Sequence, residues 1–146
     1  MGPVEVVFHS QTYDAYFKPL ELSHPGFLKI LLNDFCRYQQ SMRDYLPDYF
    51  GFDAEYGSPR EIAGCIEHIH LCIPPRSFPP NLRQSYRKCR VGDPQNDVAL
   101  VYARGRIEFQ RFCIIGILMP DAHRQANGRD LMLYLGRLGR EFRNDN

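Results

Sequence analysis

The chain has no tryptophan, no Cys-x-x-Cys pair and no apolar run approaching the ~20 residues that a membrane-spanning helix needs. Its longest apolar stretch, Phe112 to Met119, is far too short to span a bilayer. The first residues, Met-Gly-Pro-Val-Glu, lack the basic start and apolar segment of a secretory signal. These absences lead us to expect a soluble, cytoplasmic protein. The five cysteines, at 36, 65, 72, 89 and 113, are odd in number and widely spaced. That pattern suits neither a disulfide framework nor a zinc ribbon, and free, buried thiols are expected. Net charge is also small, at +1.

The low net charge hides an asymmetry. Residues 1–59 hold four basic and eight acidic side chains, whereas residues 60–143 hold fourteen basic and eight acidic ones. A cationic working surface on the second half is one reading, and scattered, solvated arginines are the other. With 146 residues and 44% hydrophobic content, the chain is long enough to bury a core without staples. A single domain over 1–146 is expected.

Alternation over Pro3–Ser10 predicts a first strand. Ser23-His-Pro-Gly resembles a helix entrance, with Ser23 as cap and Pro25 in the first turn. Leu28, Leu31, Leu32 and Phe35 then recur at helical spacing, predicting a helix to about Met42. Residues 52–60 read as loop. Cys65–Ile73, Val98–Ala103 and Ile107–Leu118 read as strands, the last buried on both faces through Cys113-Ile-Ile-Gly-Ile-Leu. Residues 74–96 form a long connection rich in proline, and such connections are often functional. Leu131, Leu135, Leu138 and Phe142 mark one stripe of a final helix over about 129–142. The expected class is therefore α+β: a small antiparallel sheet of about four strands, in the order β-α-β-β-β-α, with helices packed on one face. The other face would stay open for a site.

Three clusters could carry chemistry. His68 and His70 alternate along a strand and so share a face, opposite Ile69 and Leu71. Two such imidazoles can act as acid and base or bind a metal, or make ordinary hydrogen bonds. A histidine-triad pattern would need a third alternating histidine, where Cys72 stands. His68, His70 and Cys72 as zinc ligands remain geometrically possible. The second cluster runs from Arg76 to Arg90. It carries Arg76, Arg83, Arg87, Lys88 and Arg90 with no acid, and Phe78 and Tyr86 are interleaved. Arginine forks pair with phosphate and aromatic faces stack on unpaired bases, as a single-stranded RNA groove requires. A charged, solvated loop is the plainer reading. The third is Pro120-Asp-Ala-His-Arg, which places His123 at a strand-to-helix junction, within reach of the histidine face if the sheet orders suitably.

Several segments together resemble the YafO-type toxins. They are Leu46-Pro-Asp-Tyr-Phe-Gly, Asp53-Ala54 with Tyr56, His68-Ile-His-Leu, Phe78-Pro-Pro-Asn-Leu-Arg-Gln, Leu100-Val-Tyr, Ile117-Leu-Met-Pro-Asp-Ala-His and Phe142-Arg. The resemblance spans about residues 26–143. The first twenty-odd residues depart from the pattern, and Arg90–Asn96 resembles an insertion. The resemblance implies a type II toxin–antitoxin system with a YafN-like antitoxin as partner, and a RelE/ParE-like fold. It implies a ribosome-dependent endoribonuclease that cuts messenger RNA without a metal or other cofactor.

Metal-free RNA cleavage needs a base for the 2′-hydroxyl, an acid for the leaving oxygen and cations for the phosphorane. We expect His70 and His123 to do the acid–base work, with His68 able to replace either. Arg83 and Arg87 are the expected phosphate ligands. Tyr86 would stack on a base or orient the 2′-hydroxyl. Phe78, Lys88, Arg90, Arg124 and Arg143 are further expected RNA contacts. Competing expectations are a ParE-like toxin acting on gyrase, a non-catalytic RNA-binding module and a small zinc-dependent hydrolase.

Overall fold

The structure, a computed structural model, describes residues 2–146. Five strands form one sheet: β1 (Glu5–Phe8), β2 (Phe50–Glu55), β3 (Glu67–Leu71), β4 (Ala99–Arg104) and β5 (Arg111–Leu118). Their spatial order is β1-β5-β4-β3-β2. β2 to β5 pair antiparallel with their neighbours, whereas β1 lies parallel to β5. The sheet is therefore mixed, and it has one strand more than the sequence pattern predicted.

The additional strand is β2. Its sequence, Phe-Gly-Phe-Asp-Ala-Glu, contains Gly51 and Asp53, residue types that strands usually avoid. Tertiary contacts explain both. A Cβ on Gly51 would lie 2.3 Å from the Arg87 carbonyl oxygen and 2.9 Å from the Phe78 ring, so only glycine fits. The Asp53 carboxylate is buried but accepts hydrogen bonds from the Tyr38 and Tyr102 hydroxyls, each at 2.7 Å, and pairs with Arg43 at 3.3 Å.

Four helices complete the fold: α1 (Tyr13–Ser23), α2 (Phe27–Gln40), α3 (Ala122–Ala126) and α4 (Arg129–Asp145). Ser23 ends α1 instead of capping α2. The cap of α2 is Gly26, at φ +86°, a backbone conformation that glycine adopts without strain. Only Phe17 and Leu20 of α1 are buried, too short a pattern to read as a helix around Pro19.

The helices do not share a face. Leu100 and Tyr102 of β4 point to a core with Phe17, Leu28, Leu31 and Phe35 of α1 and α2. Ala99, Val101 and Ala103 point the other way, to Met132, Leu135 and Leu138 of α4. A strand buried on both faces needs a layer on each side. This corrects the expected one-sided packing. α4 contacts β4 and β5. On its face of the sheet, β3 is left beside it with the two histidines, and the site forms there.

Candidate active site

Tyr56, His68, His70, Asp97, Ala99, Ala122, His123 and Ala126 line one small cavity of about 40 Å³. Strand alternation places His68 and His70 on the α4 side of β3, because Ile69 and Leu71 fill the opposite core. Their rings lie 5.5 Å apart, and His123 brings a third ring 5.7 Å from His70. Tyr56, just past β2, stacks on His68 at 3.9 Å with ring planes 10° apart. The result is a row of four rings.

His123 is held by Asp97, a buried residue just before β4. One carboxylate oxygen, Oδ2, accepts the His123 backbone N–H at 2.8 Å and lies 2.7 Å from the ring Nδ1. Asp97 thus anchors the short α3 to the sheet and fixes the ring. With the Nδ1 proton on the carboxylate side, His123 keeps Nε2 for accepting or returning a proton. The arrangement is the acid–base half of a carboxylate–histidine dyad.

His70 is fixed in the opposite sense. The Cys89 backbone N–H donates to its Nδ1 at 2.8 Å. The neutral ring then carries its proton on Nε2 and can only donate there. Burial, then the neighbouring His123 charge, pushes the His70 pKa down to about 4. Burial, then His70, does the same to His68, also to about 4. Both imidazoles are therefore neutral at pH 7.

The long proline-rich connection supplies the neighbouring cations, with Lys88 closer to the histidines' chemistry than the expected Arg87. Arg87 is 4% exposed, and its guanidinium donates to the carbonyls of Leu82, Pro47, Phe50 and Pro80. With its donors turned inward it organises the loop, and it has no fork left for phosphate. Phe78 is likewise a core residue, packed against Gly51, and offers no open face for a base. Arg143 donates to the Arg104 carbonyl at the far end of β4, away from the histidines. Lys88 is the loop cation whose charge acts on His70, and its Nζ sits 4.6 Å from the Phe52 ring centroid. Arg83 and Tyr86 are exposed around a 3-10 turn beside β2, held where Gln84 donates to the Tyr38 hydroxyl and the Gly51 carbonyl. Arg90 and Arg124 are exposed.

Sequence reasoning missed Asp97 and the part played by the Cys89 backbone. Asp97 abuts a stretch that resembled an insertion, and a backbone donor leaves no mark in a sequence. Tyr56 stood in the resemblance without a role. Among the described residues, no cluster of His, Cys, Asp and Glu is arranged to hold a metal ion. No described helix is long and apolar enough to cross a membrane.

A mixed sheet carrying three clustered imidazoles, one oriented by a buried carboxylate, defines a small α+β protein with a histidine-lined pocket. The family of toxin YafO, of type II toxin–antitoxin systems, matches residues 36–144, and the chain belongs to it. It is 36% identical over 121 residues to the mRNA interferase toxin YafO of Escherichia coli (strain K12), covering 80% of this chain and 85% of that protein. No solved structure matches it.

Proposed function

We propose that the protein is an endoribonuclease toxin that cleaves messenger RNA on the ribosome and so arrests translation and growth, with a YafN-like antitoxin holding it in check in the cytoplasm. The family and the relative's designation as an mRNA interferase support the activity. The observation that carries the mechanism is the His123–Asp97 pair beside two neutral histidines. We read the sheet as a RelE/ParE-like scaffold extended by β1.

Cleavage proceeds by attack of a 2′-hydroxyl on the adjacent phosphate, giving a 2′,3′-cyclic phosphate and a 5′-hydroxyl. His123 Nε2 carries one proton transfer, and Asp97 compensates the positive charge its ring acquires. His68 carries the other. His70, locked as an Nε2–H donor, binds a non-bridging phosphate oxygen instead of shuttling a proton, a role different from the one its spacing suggested. Lys88 supplies positive charge felt at His70. Arg83, Arg90, Arg124 and Tyr86 contact RNA beyond the reacting phosphate.

The test is 5′-end mapping of a reporter messenger RNA with the purified protein, with and without translating ribosomes, in the presence of chelator. We expect cuts only with ribosomes. His123→Ala should lower their rate by about 10²–10⁴-fold, the usual share of a positioned proton carrier, and Asp97→Asn should lower it in the same direction. Growth arrest without any cut would refute messenger cleavage.

A further inference from the structure

The histidine cavity, at about 40 Å³, has room for a water or a phosphate oxygen and little else. The rest of an RNA substrate must lie in a neighbouring hollow. One hollow of about 540 Å³ runs along Pro94, Pro120, Arg124 and Leu131, and shares no lining residue with the cavity. Another of about 390 Å³ is bounded by the turn at 55–59 and by Ala126, Asn127 and Arg129. Tyr56 and Ala126 line both this groove and the histidine cavity. Its volume falls in the range of ~300–1,000 Å³ usual for small-ligand sites.

We propose that this groove is the subsite for one nucleobase of the RNA, next to the scissile phosphate, and that Asn127 and Ser58 read its hydrogen-bonding edge. The inference rests on the ribonuclease reading above. Continuity is its first support: a base in the groove lies against the Tyr56 ring, whose stacking partner is His68. Charge is the second. Arg129, the groove's cation, is ion-paired with Glu61, and Glu55 adds a carboxylate to the lining. A neutral base suits such a lining better than a phosphate does. The third support is unspent polarity. The Ser58 hydroxyl and the Asn127 amide are exposed, and neither bonds to another protein group among the described residues. An amide sets a donor beside an acceptor, the pattern that pairs with N7 and N6 of adenine. Adenine, which can meet that pair on its N7/N6 edge, is the base we assign to the groove.

The experiment maps cuts on ribosome-bound reporter messages randomised around the cleavage position, using the full-length protein, Asn127→Asp and Ser58→Tyr. Asn127→Asp removes the donor and keeps the shape. We expect its adenine enrichment at one position beside the cut to fall roughly fivefold or more, as loss of a bidentate contact does. Ser58→Tyr, on an exposed turn, should blunt the same position by filling the groove. An unchanged base profile in both variants overturns the subsite while leaving cleavage intact. Absence of cuts by the unaltered protein overturns the ribonuclease reading itself, and the subsite with it.

Discussion

Three imidazoles of one chemical kind occupy this pocket, and their environments give them different capacities. A carboxylate at Nδ1 leaves His123 free to exchange a proton at Nε2, whereas a backbone N–H at Nδ1 leaves His70 able only to donate. Burial also has a thermodynamic consequence. The folded-state pKa values of His68 and His70 are lowered to about 4 from an ordinary 6.5. Well above pH 6.5 both rings are neutral, folded or unfolded, and contribute no pH dependence. Below it, the unfolded chain binds protons that the folded protein refuses. Stability must therefore fall as pH drops from 6.5 towards 4. Urea midpoints measured across that window should decline, and a His68→Phe/His70→Phe variant should lose much of the slope. An equal slope in both proteins would mean that the pair is solvated in the fold.

The elements that matter most around the pocket are held by close approach. A Cβ on Gly136 would meet Ile62 Cγ2 at 2.2 Å, and one on Gly139 would meet Ile66 Cγ2 at 2.4 Å and the Cys65 carbonyl oxygen at 2.5 Å. α4 therefore rests its glycines directly on the segment leading into β3. Gly139→Ala gains helix propensity, which is worth about 1 kcal/mol. It also forces the helix away from Ile66, an overpacking that costs about 1–3 kcal/mol. We expect a net lower melting temperature, measured by circular dichroism, and an unchanged or higher one would show that the helix can shift without loss. This contact also explains what the sequence concealed. The leucines of α4 are legible at helical spacing, and Leu135 and Leu138 are buried as expected. Its buried glycines carry no hydrophobic signal. The same applies to β2, whose Gly51 and Asp53 make sense only once the Arg87 carbonyl and two tyrosine hydroxyls are in place. His68, His70 and His123 were readable because alternation and motif order depend on local spacing. Asp97, and the inward turn of Arg87, depend on where a long connection folds back.

Across the whole molecule, the acidic first part of the chain builds mainly the α1–α2 layer, and the basic second part builds the layer that carries the histidines. The family match begins at residue 36, within α2, yet the core does not begin there. Val4, Phe17 and Leu20 are each at most 8% exposed, and β1 pairs along the edge of β5 from Glu5 to Phe8. Burying each of those side chains contributes about 1.5–3 kcal/mol. Their combined share is large against the 5–15 kcal/mol that ordinarily separates folded from unfolded domains. Removing residues 1–24 would also bare the apolar β5 edge, an invitation to strand pairing between molecules. The N-terminal segment is thus an integral layer of this fold, although it lies outside the matched region. A chain beginning at Pro25 should lose its cooperative thermal transition and elute from size-exclusion chromatography as aggregate. A truncated chain that melts sharply as a monomer would instead make β1 and α1 an appendage, and the common core would then start at α2.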